Sequence, residues 1–150
     1  MIFAISGTVG VGATKTSCTA ISTANIRPRV VEYDTSTDGT PTSDQSYTFQ
    51  LRRFTADGTG TGYTLQNTDP SDSAVTPVLT AKTTYTVEPT YAAGFILNRG
   101  VNPRMTHRWF AYSPDAEIIA PATASNGLGW QMATAGGAAG NFLVNVMVRQ

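Results

Sequence analysis

Residues 104–130, RMTHRWFAYSPDAEIIAPATASNGLGW, decide the fold class of this chain. The stretch begins as an alternating strand in which His107 and Trp109 share one face. Pro114 ends that strand, because proline has no N–H to donate and fixes its own φ. A second short strand follows, and then Asn126 and Gly127 form a pair that favours a turn with positive φ. Short strands separated by turn residues are typical of antiparallel β-proteins.

Two other segments have the clearest strand patterns in the chain. Residues 46–54, SYTFQLRRF, alternate so that Tyr47, Phe49 and Leu51 face the core. Residues 141–149, NFLVNVMVR, are apolar on both faces for much of their length, which predicts a central strand. Further strands are expected at 1–6, 15–22, 29–34, 83–88 and 93–97, and at 74–81, where Pro77 indicates an edge position. Turns are expected at 35–44, 55–62, 98–103 and 135–140.

These patterns predict roughly eight to ten short strands in one domain over residues 1–150. Neither a long amphipathic helix nor a dividing linker is recognisable in the sequence. We therefore expect an all-β fold, an antiparallel β-sandwich that is jelly-roll-like. Residues 1–28 are rich in small and hydroxyl side chains, and we interpret them as an extended N-terminal arm that docks on a neighbouring subunit.

Composition argues against several classes of function. Ten basic residues balance ten acidic ones, whereas proteins that bind nucleic acid usually carry a basic excess. No apolar run approaches the length of a membrane span. Cys18 is the only cysteine and His107 the only histidine, so a disulfide framework and a Cys- or His-rich metal site are excluded. Only 13% of residues are charged, which is typical of a surface covered by a partner.

The motifs that could carry chemistry are incomplete. Residues 7–16, GTVGVGATKT, resemble a phosphate-binding loop, but Thr14 stands where that loop needs a glycine before its lysine. Residues 34–39 imitate the start of a calcium loop, but Gln45 replaces the glutamate that should bind the ion with both oxygens. A lone His107 beside Trp109 is more typical of packing than of general-base catalysis. We therefore assign no catalytic residue, no metal ligand, no cofactor and no enzymatic activity.

Two alternatives remain open at this stage. Glycoside hydrolysis would need two of the carboxylates Glu32, Asp34, Glu88 and Glu117 to meet in space, and their spacing does not favour it. A carbohydrate-binding jelly roll that recognises a host surface is the stronger alternative. It would use an aromatic platform drawn from Tyr63, Tyr85, Tyr91, Trp109, Tyr112 and Trp130. Alternation predicts instead that Trp109 is mostly buried in the core, which would remove it from such a platform.

Three segments together resemble small β-sandwich proteins of tailed bacteriophages. They are Glu88-Pro89-Thr90, the Arg-x-x-x-Arg-Trp strand that ends at Trp109, and Glu117-Ile118-Ile119 followed by PATASNGLG over residues 121–129. The similarity covers residues 38–130 and is closest to head decoration, or cement, proteins. Its motifs are structural and carry over no individual binding residue.

The resemblance implies a role on the outside of an assembled capsid. Such proteins, often trimers, join neighbouring subunits of the major capsid protein. The expected partners are therefore the major capsid protein and further copies of this chain in a homotrimer, and the expected location is the capsid surface of the virion. A surface with few charges suits this role, because little charge has to be desolvated at the contacts.

Overall fold

The chain folds as an all-β protein, as the sequence predicts. A computed structural model describes residues 1–10, 14–38, 46–72, 76–102, 104–134 and 140–150. The predicted turn residues 39–45 and the tip residues 135–139 lie outside these ranges. The strands in chain order are β1 (Ile2–Gly10), β2 (Lys15–Ile21), β3 (Arg29–Asp38), β4 (Tyr47–Ala56), β5 (Thr59–Tyr63), β6 (Gln66–Asn67), β7 (Thr80–Val87), β8 (Thr90–Tyr91), β9 (Leu97–Val101), β10 (His107–Phe110), β11 (Ile118–Ile119), β12 (Gly127–Thr134) and β13 (Asn141–Arg149).

The strands form two antiparallel sheets packed into a sandwich. The first sheet has the order β10-β3-β13-β1-β6, and β11 continues the β10 edge of β3. The second sheet has the order β5-β7-β2-β12-β4-β8, and β9 pairs with β4 beside β8. Two short 3-10 helices, Pro70–Asp72 and Pro114–Ala116, lie in the connections.

Four strand pairs are nested one inside another along the chain. The outermost pair is β1 with β13, followed by β2 with β12, β3 with β10 and β4 with β9. The pairs fall alternately in the first and the second sheet. The short strands β5 to β8 form an insertion between β4 and β9, and they extend both sheets beyond this nested set.

The core fills the space between the sheets. Trp130 is fully buried at its centre and lies opposite Leu51, which is also fully buried. Burying each large side chain contributes about 1.5–3 kcal/mol, so this layer is the main source of stability. Its other large members are Phe3, Ile5, Val30, Tyr33, Tyr47, Phe49, Phe142, Val144, Val146, Val148, Leu79, Leu128 and Met132.

The two clearest strand predictions are confirmed. In β4, Tyr47, Phe49 and Leu51 are at most 1% exposed. In β13, buried and partly buried residues alternate along the whole strand, and the strand lies between β3 and β1. Alternation could predict these elements because one face of each strand carries large apolar side chains throughout.

The prediction of an extended arm is wrong for most of residues 1–28. Strand β1 pairs with β13 along its whole length, and β2 lies between β7 and β12 in the second sheet. Small side chains in this region serve close packing instead of an arm. A Cβ on Gly7 would lie 2.4 Å from the carbonyl oxygen of Ser17, so only glycine lets β1 and β2 approach this closely.

Three other local predictions need correction. The segment expected to break after β4 forms β5, and the segment expected to be a loop after residue 97 forms β9. The strands expected at 74–81 and 83–88 are one strand, β7, which begins at Thr80 after Pro77. This strand is not at an edge, because β5 covers its outer side. Pairing with a neighbour, rather than local propensity, makes these polar residues strands.

Candidate functional site

Three large apolar side chains are exposed at the β10 edge of the first sheet. Met105 is 68% exposed, Phe110 62% and Tyr112 86%. We call these three residues the β10 patch. Beside Phe110, Arg108 Nε lies 2.5 Å from Glu32 Oε1, and this ion pair offsets the charge next to the patch. The three residues lie within an eight-residue segment of the chain, and exposed aromatic and methionine side chains are typical of surfaces that contact another protein.

The backbone of β10 also has an open side. The N–H of Ala111, just after β10, donates to the carbonyl oxygen of Val31 at 2.8 Å. Because backbone groups alternate in direction along an antiparallel strand, the N–H and C=O groups of Arg108 and Phe110 face away from β3. Within the described part of the chain, β10 pairs with β3 alone. The edge can therefore accept hydrogen bonds from a partner's backbone and donate to it.

The inner face of β10 is occupied by aromatic packing. Trp109 stacks on the buried ring of Tyr33, with 5.5 Å between ring centroids, and it packs against the margin of the core. It is partly buried, whereas Trp130 is fully enclosed. Burial among these rings raises the pKa of Tyr33 to about 12. Trp109 therefore belongs to the sandwich rather than to an exposed platform.

His107 has the surroundings of a packed residue. Its ring meets Tyr33 edge-on at 6.0 Å, and Arg99 Nη1 lies 3.0 Å from its Nε2. Burial and the positive charge of Arg99 both lower the pKa of His107, because each disfavours the imidazolium. A neutral ring accepts a hydrogen bond from the guanidinium. No described carboxylate is hydrogen-bonded to His107 in the manner of a catalytic dyad.

The four carboxylates named from the sequence are held by different partners. Glu32 pairs with Arg108 and Asp34 accepts from Asn145, both on the outer face of the first sheet. Glu88 lies in the connection between β7 and β8 of the second sheet, where it accepts from Thr16. Glu32 and Asp34 therefore lie on one face of β3, each with its own partner, and Glu88 lies apart from them.

Glu117 is the most buried of these carboxylates, with a side chain 2% exposed. Its Oε1 lies 2.6 Å from Arg149 Nη2, and its Oε2 lies 3.4 Å from Arg29 Nη1. The three side chains connect the segment after the second 3-10 helix to β3 and β13. This network has a structural role, since both carboxylate oxygens are engaged by arginine.

The aromatic side chains named as a sugar platform do not lie together. Trp130 is fully buried between the sheets, and Tyr85 is only 6% exposed. Tyr112 belongs to the β10 patch on the first sheet, whereas Tyr91 lies on the outer face of the second. Tyr63 alone lines a groove. A platform made from all six residues is therefore ruled out.

A buried polar network covers the outer face of the second sheet. The hydroxyl of Thr16 donates to Glu88 Oε2 and lies 2.7 Å from the Tyr91 hydroxyl. The Arg52 guanidinium lies 4.9 Å above the Tyr91 ring, a cation–π contact. Burial raises the pKa of Tyr91, so its hydroxyl stays protonated and can donate. The Tyr91 ring can approach β12 here because Gly129 has no side chain.

A second polar network lies on the same face, around Asp57. Lys82 Nζ is 2.5 Å from Asp57 Oδ2, and the Tyr85 hydroxyl donates to Asp57 Oδ1 at 3.2 Å. The Tyr85 hydroxyl also lies 2.6 Å from Thr19 Oγ1. Burial also raises the pKa of Tyr85 above its ordinary value. These contacts fix the orientation of the Asp57 carboxylate at the mouth of a groove.

That groove has a volume of about 800 Å³ and lies at the β5–β7 edge of the second sheet. Its walls come from separate parts of the chain, including Ser22, Asp57, Tyr63, Lys82 and Ser125. Sequence reasoning singled out Tyr63 but missed the groove. No spacing rule could have found it, because the strand pairing alone brings these loops together.

The two incomplete motifs lie mainly in strands. Gly7 and Gly10 belong to β1 and Lys15 begins β2, while residues 11–13 lie outside the described ranges. Asp34 and Asp38 belong to β3, and Asn141 donates to both carboxylate oxygens of Asp38 and lowers its pKa. The described residues contain no group of three or more His, Cys, Asp or Glu side chains that could hold a metal ion. They also contain no helix long and apolar enough to cross a membrane.

Comparison with protein-family models, with curated proteins and with solved structures gave no match to this chain. The class of protein that the observations define is a two-sheet antiparallel β-sandwich with an exposed apolar edge.

Proposed function

We propose that this chain is a structural virion protein, a decoration or cement protein on the outside of a phage head. In this role it binds the major capsid protein and stabilises contacts between neighbouring capsid subunits. The observation that carries the proposal is the β10 patch, with Met105, Phe110 and Tyr112 each more than 60% exposed. The patch lies inside the part of the sequence that resembles decoration proteins.

The chemistry of the patch suits attachment to a protein shell. Exposed aromatic and methionine side chains are the types enriched in protein–protein contacts. The open backbone of Arg108 and Phe110 can add hydrogen bonds that fix the register of a bound segment. Each contact can be weak, because many copies bind one shell together. No catalytic group or cofactor enters this role.

We propose further that the sandwich is a jelly roll. The nested pairs β1–β13, β2–β12, β3–β10 and β4–β9 support this, because a long antiparallel ribbon wrapped into two sheets produces such an order. Jelly rolls occur in viral capsid proteins and in lectins, so the topology is compatible with the virion role.

A homotrimer is the proposed assembly state. Exposed apolar side chains remain outside the β10 patch, including Val78 at 51% and Phe95 at 49%. Only 13% of the residues are charged, which leaves much neutral surface to be covered. Light scattering with size-exclusion chromatography measures the mass directly. A monomer at high concentration would contradict this part of the proposal.

Co-sedimentation with phage heads that lack the protein tests the proposed role. The wild-type chain should sediment with the heads and raise their resistance to heat. The double variant Phe110→Ser/Tyr112→Ser should lose binding, since it removes most of the β10 patch while leaving the core intact. Val87→Ser is the matched control, because it removes an equally exposed apolar residue from the second sheet. Absence of wild-type binding would refute the proposal.

A further inference from the structure

The groove at the β5–β7 edge has the size of a small-ligand site. Its volume of about 800 Å³ lies within the range of about 300–1,000 Å³ that such sites occupy. The floor includes Leu65 and Leu79, which belong to or pack against the core. The walls come from the turns after β2 and before β12. Binding residues are commonly carried on turns, because the rigid part of the fold beneath the turns holds them in position.

The groove carries both an apolar surface and fixed polar groups. Tyr63 is partly buried, packs against the core and presents a ring to the groove. Asp57 also lines the groove, and it is held by Lys82 and Tyr85, one on each carboxylate oxygen. Each carboxylate oxygen has a further lone pair that can accept a ligand hydroxyl. The charges of Asp57 and Lys82 cancel, so the groove favours a neutral ligand.

Two local features on the wall point to a binding function. Ser22 is 3% exposed and lines the groove, and its Oγ has no hydrogen-bond partner among the described residues. Ser125 also lines the groove and has a φ of 64°, a left-handed conformation that costs a serine free energy. Unsatisfied polar groups and strained backbone occur together at ligand sites more often than elsewhere.

From these features we propose that the groove binds a neutral hexopyranose unit of a glycan. One face of such a sugar presents C–H groups that can stack on the Tyr63 ring. Its hydroxyls can donate to Asp57 and exchange hydrogen bonds with Lys82 and with the hydroxyl side chains of the wall. The proposal does not depend on the decoration role, since the groove and the β10 patch lie on different sheets.

Ligand-observed NMR tests the site directly. The full chain is mixed with neutral methyl hexopyranosides at about 10 mM each, a concentration at which weak binding is detectable, and saturation transfer to each sugar is measured. The blocking variant is Gly62→Phe. Gly62 lines the groove, and a Cβ there would meet nothing within 4 Å, so the new ring fills the groove without a clash at its base. Gly94→Phe is the matched control, because Gly94 has equal space and is not part of the groove lining.

The expected result is transfer to at least one sugar with the wild-type chain and with Gly94→Phe, and its loss with Gly62→Phe. Tyr63→Ala provides a second variant and should lower the affinity about tenfold through loss of the stacking surface. Circular dichroism checks that each variant is folded. No transfer to any sugar with the wild-type chain overturns the proposal, and so does transfer that survives in both Gly62→Phe and Tyr63→Ala. Head binding without sugar binding would refute this inference alone.

Discussion

The Tyr91 ring lies against Gly129 of β12, and Gly129→Ala tests that packing. A Cβ at position 129 would lie 2.3 Å from Tyr91 Oη and 2.9 Å from Tyr91 Cε1. Distances this short force the ring to move. A displaced ring would lose its hydrogen bond to Thr16 and its edge-on contact with Phe54, whose centroid is 6.3 Å away.

The cost follows from these two losses. Overpacking a filled site typically costs about 1–3 kcal/mol, and a lost buried hydrogen bond adds about 1 kcal/mol. We therefore expect Gly129→Ala to lower the free energy of unfolding by about 2–4 kcal/mol in the wild-type chain. In a Tyr91→Ala background, the ring that would clash with the new Cβ at position 129 is absent. There, the same change should be neutral or stabilising by up to about 1 kcal/mol, because alanine restricts the unfolded chain more than glycine does.

Urea denaturation of the four proteins in this double-mutant cycle measures the coupling between the two positions. The reasoning requires a coupling energy of about 2 kcal/mol or more. If Gly129→Ala costs the same in both backgrounds, the Tyr91 ring does not lie over Gly129 and the argument fails. Gly94→Ala is the matched control, since a Cβ there meets nothing within 4 Å.

Three other perturbations have expected outcomes in denaturation experiments. Trp130→Ala should lower the free energy of unfolding by about 3–5 kcal/mol, and Trp109→Ala by roughly half as much, because Trp130 is fully enclosed and Trp109 is only partly buried. Equal losses in the two variants would contradict this ranking. Glu117→Ala should cost about 1.5–3 kcal/mol, and less in high salt, because it leaves two partly exposed arginines facing each other without the carboxylate; a loss below about 1 kcal/mol would argue against the network. His107 has a lowered pKa, so the stability that it contributes is present above its ordinary value of 6.5 and is lost as the pH falls. His107→Gln should therefore flatten the fall in stability between about pH 8 and about pH 5, and curves that stay parallel would show that another group is responsible.

Where the sequence predicts the fold correctly, one strand face is uniformly apolar. Residues 141–149 alternate without interruption, and so do residues 47–51. The prediction fails where strands consist of glycine and threonine, as in β5 with its sequence TGTGY. Such segments have no apolar period of their own and become strands because a neighbour pairs with them. The same reason explains the mistaken arm, since an extended arm and a threonine-rich interior strand have the same local pattern.

The candidate site was harder to predict than the fold. Alternation assigns the side chains of one strand to two faces, but it does not say which face is the core. The size of Trp109 predicts a core position for that residue, but nothing in the pattern predicts that Tyr112 is exposed. The groove beside Tyr63 depends on several connections that are distant in sequence. Only the strand order brings them to one edge.

The position of β13 has a consequence for folding. This strand is last in the sequence, yet it lies between β1 and β3, which do not pair with each other. During synthesis, β1 and β3 therefore keep unpaired edges until the residues of β13 have been made. Folding that depends on such distant pairing is slow, in the range of about milliseconds to seconds for comparable β-proteins. The unpaired edges of β1 and β3 are prone to aggregation in the nascent chain. Chaperones would protect the chain at this stage.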